Sequence, residues 1–171
     1  MKRRPAARGK ALEAELRAYH ATFGPDAPRM GRLHAAERLG KAAADFSGLL
    51  PDGRVVLVEA KEITAVARFP LKYLQPHQTA ALRAVHQAGG LAVLVVRVGR
   101  DTWALGYPAL EGALVRWSLE DKASLSPGEL DRCGAKLEGV AWWGRELPKW
   151  SGDIGLFVKS EPEEFFEVND E

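Results

Sequence analysis

Asp45, Glu59 and Lys61 are the residues of this chain whose types and spacing could do chemistry. Glu59 and Lys61 flank Ala60 at the end of the apolar run Val55, Val56, Leu57 and Val58. β-Branched and apolar residues entered through Pro51, Asp52 and Gly53 read as a strand over residues 54–61 behind a tight turn. Side chains two apart on a strand share a face, so the Glu59 carboxylate and the Lys61 ammonium point the same way. A three-residue loop over 51–53 pairs Leu50 with Arg54, and counting outward sets Asp45 opposite Glu59, about 5 Å away. This register places neither carboxylate in the core. Two carboxylates so close both stay ionised only with a cation between them, because otherwise one takes up a proton. Oxygen ligands without a cysteine or a histidine pair favour Mg²⁺ or Mn²⁺ over zinc. Lys61 adds a point charge suited to a phosphate oxygen or an attacking water. The competing reading of a lone Glu-x-Lys is a solvated surface hairpin; the apolar flank and the register to Asp45 count against it.

The elements that must position these groups follow from periodicity. Leu12, Leu16, Tyr19 and Phe23 form one apolar stripe on a helix over residues 10–23, with Glu13, Arg17 and His20 along its edge. Residues 32–40 read as a second short helix. Pro76 opens a helix that closes at Gly89 or Gly90. Gln78 then stands in its first turn, where a phosphate or a water could bind, although His77 and Gln78 also suit capping. Residues 91–98 are a continuous apolar run, expected as a strand buried on both faces, with 101–107 as its successor. Strand, helix, strand implies a right-handed parallel crossover. Ser126 and Glu129 form a capping box opening a later helix. Trp142, Trp143 and Trp150 are expected to pack on the core or on a partner subunit; stacking on bases is the other use for such rings.

With 171 residues and 46% hydrophobic content, the chain can bury one good α/β core, expected as a single domain over residues 1–160. No apolar run is long enough to span a bilayer, and the first ten residues lack the apolar stretch of a signal peptide. Cys133 is the only cysteine, which points to a reducing, cytoplasmic setting and an inert thiol. The net charge of +1 hides an asymmetry. Residues 1–45 hold ten basic residues (Lys2, Arg3, Arg4, Arg8, Lys10, Arg17, Arg29, Arg32, Arg38 and Lys41) against five acids. A basic arm beside a metal site suits a polyanion such as DNA, although a solvated helix face carries similar charge. The acidic end, 161–171, is expected to be disordered, with Phe165 and Phe166 as a docking peptide.

Asp45 followed by Glu59-x-Lys61 resembles the PD-(D/E)xK nuclease superfamily. Arg8, Gly9, Leu12 and Glu13 are similar to the R-G-x-x-L-E opening of the RecU-type Holliday junction resolvases. Phe69, Pro70 and Leu71 followed by His77 and Gln78 resemble that family's F-P-L…H-Q segment, and Glu129, Leu130, Gly134 and Leu137 its C-terminal helix and turn. These matches cover most of residues 8–140. The resemblance implies a restriction-endonuclease-like α/β fold with a central mixed β-sheet flanked by helices. It implies an Mg²⁺-dependent endonuclease that resolves four-way DNA junctions by paired symmetric cuts in recombination and repair, acting as a homodimer. In that reading Asp45, Glu59, the Ala60 carbonyl and Glu13 hold the metal while Lys61 orients or deprotonates the nucleophile. DNA contacts fall to Arg3, Arg4, Arg8, Lys10, Arg29, Arg32, Arg38, Lys41, Lys72 and Gln78. Two departures stand out. The family's long stalk is reduced to a stalk-like segment, 24–44, and the hydroxyl residues usual before the catalytic Asp are Ala42, Ala43 and Ala44. The shortened stalk leaves open a related nuclease for other branched or duplex DNA; the other alternative is a silent DNA-binding module of the same fold, against which the complete set of Asp45, Glu59 and Lys61 argues.

Overall fold

The turn at Pro51, Asp52 and Gly53 sets the register on which the site depends. Gly53 lies at φ 86°, a left-handed conformation that costs glycine little. Its N–H donates to the Leu50 carbonyl at 2.9 Å, and the Leu50 N–H donates to the Arg54 carbonyl at 2.7 Å. Asp52 Oδ1 accepts from the Arg54 N–H at 3.0 Å, locking the exit. Strand β2 (Phe46–Leu49) thus runs antiparallel to β3 (Val55–Ile63), pairing Phe46 with Val58 and Leu49 with Val55. The three-residue loop is as expected, and β3 continues two residues beyond Lys61. The computed structural model describes residues 9–32, 43–64, 67–120 and 122–142.

Within the stalk-like segment, residues 29–32 form an edge strand, β1 (Arg29–Arg32), antiparallel to β2. Gly48 permits this approach, since a Cβ there would run into the Arg29 carbonyl. The expected helix over 32–40 therefore starts on a residue that ends a strand, and its remaining residues fall outside the described ones. So do Arg3, Arg4, Arg8, Arg38, Lys41, Trp143, Trp150 and the acidic end.

From β3 the chain passes through β4 (Phe69–Pro70), a tight 3-10 turn (Leu71–Tyr73) and α2 (Pro76–Gln87) into β5 (Leu91–Val98). Strand β5 pairs with β3 in parallel, from Val56 opposite Leu91 to Ile63 opposite Val98. Strand β6 (Asp101–Gly106) returns antiparallel to β5, and β8 (Ala135–Leu137) pairs antiparallel with β6. The six-stranded order is β1-β2-β3-β5-β6-β8, a mixed sheet with one parallel contact. Strand β7 (Ser124–Leu125) pairs separately with β4. Tyr107, expected as the end of the strand over 101–107, instead opens α3 (Tyr107–Glu120), whose residues 108–120 lie outside every element expected above, with Pro108 in its first turn where a missing N–H costs nothing. Helix α4 (Pro127–Cys133) opens with the expected Ser126–Glu129 capping box.

The sheet is buried on both sides. On one side lie Leu57, Ile63, Leu94 and Val96 with Leu82 of α2 and Leu110 of α3. On the other, Val56, Val58, Val93 and Val95 pack on Leu12 and Leu16 of α1 (Gly9–His20). Leu12 and Leu16 are fully buried, each contributing about 1.5–3 kcal/mol by area. Trp142 is also buried on this side. Among the described residues no helix is long and apolar enough to cross a membrane.

Candidate active site

Alternation along β3 divides its side chains between the two cores. Odd residues carry Glu59 and Lys61 to the side of α2 and α3, together with Leu57 and Ile63. One step beyond the Phe46–Val58 pair, Asp45 stands opposite Glu59. The Leu50–Arg54 bond fixes which amides of β3 face β2, namely those of even residues. Ala60 is one of them, at a level where β2 has ended. Asp45 fills the gap: its Oδ2 accepts from the Ala60 N–H at 2.8 Å. The Ala60 carbonyl points to that same edge, as the N–H and C=O of one strand residue do.

Glu59 is wholly buried, which corrects the expectation that neither carboxylate lies in the core. The reason is non-local: α2 and its preceding turn close over this stretch of β3. Glu59 Oε1 meets Lys61 Nζ at 2.6 Å and accepts from Gln78 Nε2 at 2.6 Å. Its Oε2 is buried with no hydrogen-bond partner among the described residues. Burial first, then the charge of Asp45, pushes the Glu59 carboxyl up to about 7, against the pull of Lys61. This asymmetry of one saturated oxygen and one orphan, beside a second carboxylate, is a high-energy arrangement for the protein alone.

Gln78 does more than stand at a helix start. Its Oε1 accepts from the Gln75 N–H at 3.0 Å, completing a reciprocal capping box, while its Nε2 serves Glu59. The amide oxygen is thus engaged by Gln75 and the amide nitrogen by Glu59. The F-P-L…H-Q spacing was the available sequence signal for this contact.

Glu13 sits half-buried in the second turn of α1, whose Leu12 N–H donates to Glu62 Oε2 at 3.4 Å. That anchors the helix at the same end of β3 but on the face of Val56, Val58 and Ala60. Among the described residues no group of three His, Cys, Asp or Glu side chains is placed to hold a metal. The oxygens available to a hard cation are those of Asp45, Glu59 and the Ala60 carbonyl. Arg97, which periodicity does not mark, ties α1 to the sheet. Its two terminal nitrogens donate to Glu15 at 2.8 and 2.6 Å, its Nε donates to Thr102 Oγ1 at 3.2 Å, and Glu62 Oε1 lies 3.8 Å away.

His20, expected along the helix edge, is buried and accepts from Trp142 Nε1 at 2.8 Å. Burial lowers its pKa to about 4. Lys10, Arg29 and Lys72 are exposed. His86 is half-buried against the Tyr107 ring, and Cys133 is half-buried with its thiol pKa pushed up by burial.

A family model described as Recombination protein U matches residues 27–139. A Holliday junction resolvase RecU from Ligilactobacillus salivarius is 28% identical over 116 residues, covering 66% of this chain and 54% of that protein. One of the same name from Staphylococcus carnosus is 30% identical over 95 residues, covering 54% of this chain and 45% of that protein. The chain thus spans about half the length of the relatives it matches. Among solved structures, Hjc, a Holliday junction resolvase from Archaeoglobus fulgidus, aligns with a TM-score of 0.51 at 12% identity, over 75% of this chain and 95% of that one. The likeness shows a shared fold, the restriction-endonuclease-like arrangement of a mixed sheet between helices.

Proposed function

The chain belongs to the RecU family of recombination proteins, and we propose that it is a cytoplasmic, divalent-metal-dependent DNA endonuclease that cuts four-way junctions. One observation carries this reading: a fully buried Glu59, saturated on one oxygen and orphaned on the other, facing Asp45 with Lys61 beside it. Two carboxylates and a backbone carbonyl at the end of a hairpin are hard donors that suit Mg²⁺ or Mn²⁺, and the orphaned Oε2 supports the fit. Asp45, Glu59 and the Ala60 carbonyl would hold the ion, with the remaining positions left to water and phosphate oxygens. When bound, such an ion polarises the scissile phosphate and lowers the pKa of a water.

The chain's own residues supply the positioning. Gln78, fixed by Gln75, keeps Glu59 in a single orientation. Asp45 is fixed by the Ala60 amide, and its carboxylate would share the ion with Glu59. Lys61, with its side chain 19% exposed, reaches the boundary between core and solvent. There its ammonium would orient the attacking water and meet charge developing on the phosphate. Exposed Lys10, Arg29 and Lys72 would contact the backbone of DNA. Two symmetric cuts across a junction need two such sites, so the active species would be a homodimer whose two-fold axis matches that of the DNA.

The test compares a mobile four-way junction with a matched linear duplex, with Mg²⁺ or with chelator. Paired symmetric nicks on the junction that require the metal are expected. Equal rates on both substrates would leave a nuclease without junction selectivity, and no cleavage in either metal would end the nuclease reading.

A further inference from the structure

Tyr73 is a large ring held out in water, 46% exposed, on a turn that is otherwise firmly anchored. Leu74 is 7% exposed, and Leu71 packs on the same core. The Leu74 N–H closes the turn on the Leu71 carbonyl at 2.9 Å. With leucines at 71 and 74 facing inward, residues 72 and 73 must face out. Lys72 Nζ lies over the Tyr73 ring, 6.0 Å from its centroid. Such a cation covers one face of a ring and leaves the other for a second planar group.

This turn is tied to the candidate site by three successive hydrogen bonds. Gln75 Nε2 donates to the Lys72 carbonyl at 3.2 Å. The Gln75 N–H donates to Gln78 Oε1 at 3.0 Å, and Gln78 Nε2 donates to Glu59 Oε1 at 2.6 Å. The ring's position is therefore set relative to the carboxylate that would hold the metal. Chain length bounds the backbone separation: two extended residues from Tyr73 to Gln75 and one helical turn to Gln78 put the Tyr73 and Gln78 Cα atoms at most about 12 Å apart. With the lengths of the two side chains and the bond to Glu59 added, the ring lies within about 25 Å of that carboxylate. At about 3.4 Å per nucleotide along one strand, that is no more than about seven nucleotides.

We propose that Tyr73, backed by Lys72, is a stacking platform for a base of branched DNA lying within about seven nucleotides of the cut, and that it helps set substrate choice. This inference rests on the nuclease reading above. A flat phenol accepts the face of any nucleobase, but only an unstacked base presents one, so the platform favours a branch point over continuous duplex. The ammonium of Lys72 adds a contact to the adjoining phosphate.

The test places 2-aminopurine at each position within about seven nucleotides of the mapped cut in a four-way junction. The intact protein, Tyr73→Ala and Tyr73→Phe are then titrated with chelator present, on junction and on linear duplex. At least one position is expected to change fluorescence on binding of the unaltered protein and of Tyr73→Phe, and to stay silent with Tyr73→Ala. Junction affinity should fall between about fivefold and about a hundredfold in Tyr73→Ala, with duplex affinity changed less than about twofold. If the unaltered protein cuts junctions and Tyr73→Ala matches it in affinity and fluorescence, the platform is refuted while the nuclease reading stands. If the unaltered protein neither binds nor cuts DNA, both fall.

Discussion

Replacing Glu59 by glutamine should stabilise the metal-free protein at neutral pH while abolishing cleavage. The folded carboxyl titrates at about 7 against an ordinary 4.5, a difference worth roughly 3 kcal/mol. Its sign is set by protons: the folded chain keeps this one to higher pH than the unfolded chain. The stability it confers is complete below pH 4.5 and is lost as pH rises from 4.5 through about 7. Glu59→Gln cannot ionise and loses nothing over that window. His20 complicates the raw profile, because its folded pKa of about 4 lies below the ordinary 6.5. Its contribution is complete above pH 6.5 and is lost as pH falls toward 4, the opposite slope in the same window. Only the difference between variant and wild type isolates Glu59, since His20 is common to both and sits on the other side of the sheet. Urea unfolding in chelator, at steps from pH 4.5 to 8, should show this difference growing in favour of Glu59→Gln by about 3 kcal/mol. In melting temperature that is about 6–12 °C for a chain of this size. Saturating Mg²⁺ should restore the wild type at pH 8 and leave the variant unmoved, because the ion takes up the charge that burial penalises. Parallel profiles for the two proteins would refute the buried, proton-retaining carboxylate and with it the physical case for a metal there.

Asp45→Asn should lose cleavage by at least about a hundredfold, yet keep junction binding by gel shift, because the amide oxygen can still accept from the Ala60 N–H. Loss of both together would mean that Asp45 is structural. Gln78→Leu should lower kcat by about 10- to 100-fold, as expected for removing a hydrogen bond to a charged group, with KM little changed; an unaltered kcat would remove its positioning role. Arg97→Leu leaves Glu15 and Glu62 without their shared cation, and hydrogen exchange should show α1 opening about 1–3 kcal/mol more easily. Uniform protection across α1 in both proteins would contradict that anchor. His20→Leu should flatten the loss of stability between pH 6.5 and 4 seen by circular dichroism, and a retained acid slope would assign it to other groups.

The sequence by itself determined what is short in contour. Turn chemistry at Pro51, Asp52 and Gly53 fixed the hairpin register, and strand alternation put Glu59 and Lys61 on one face. Helical periodicity found Leu12 and Leu16, and the capping residues opened α2 and α4. Each of these is decided by groups a few residues apart, where backbone geometry leaves few choices. Tertiary structure decided the rest. Glu59 is buried because α2, seventeen residues onward, closes over β3, and its pKa follows from that burial and from Asp45 rather than from its neighbours in sequence. Gln78 reaches Glu59 from a different element. Helix α1 docks through Leu12 and Leu16 onto Val56 and Val58, the face of β3 opposite to that of Glu59 and Lys61. Residues 29–32 become an edge strand because β2 offers an unpaired side and Gly48 lets a backbone approach. His20 and Trp142 meet across 122 residues. Desolvation is a sum over everything packed around a group, and no local pattern contains that sum.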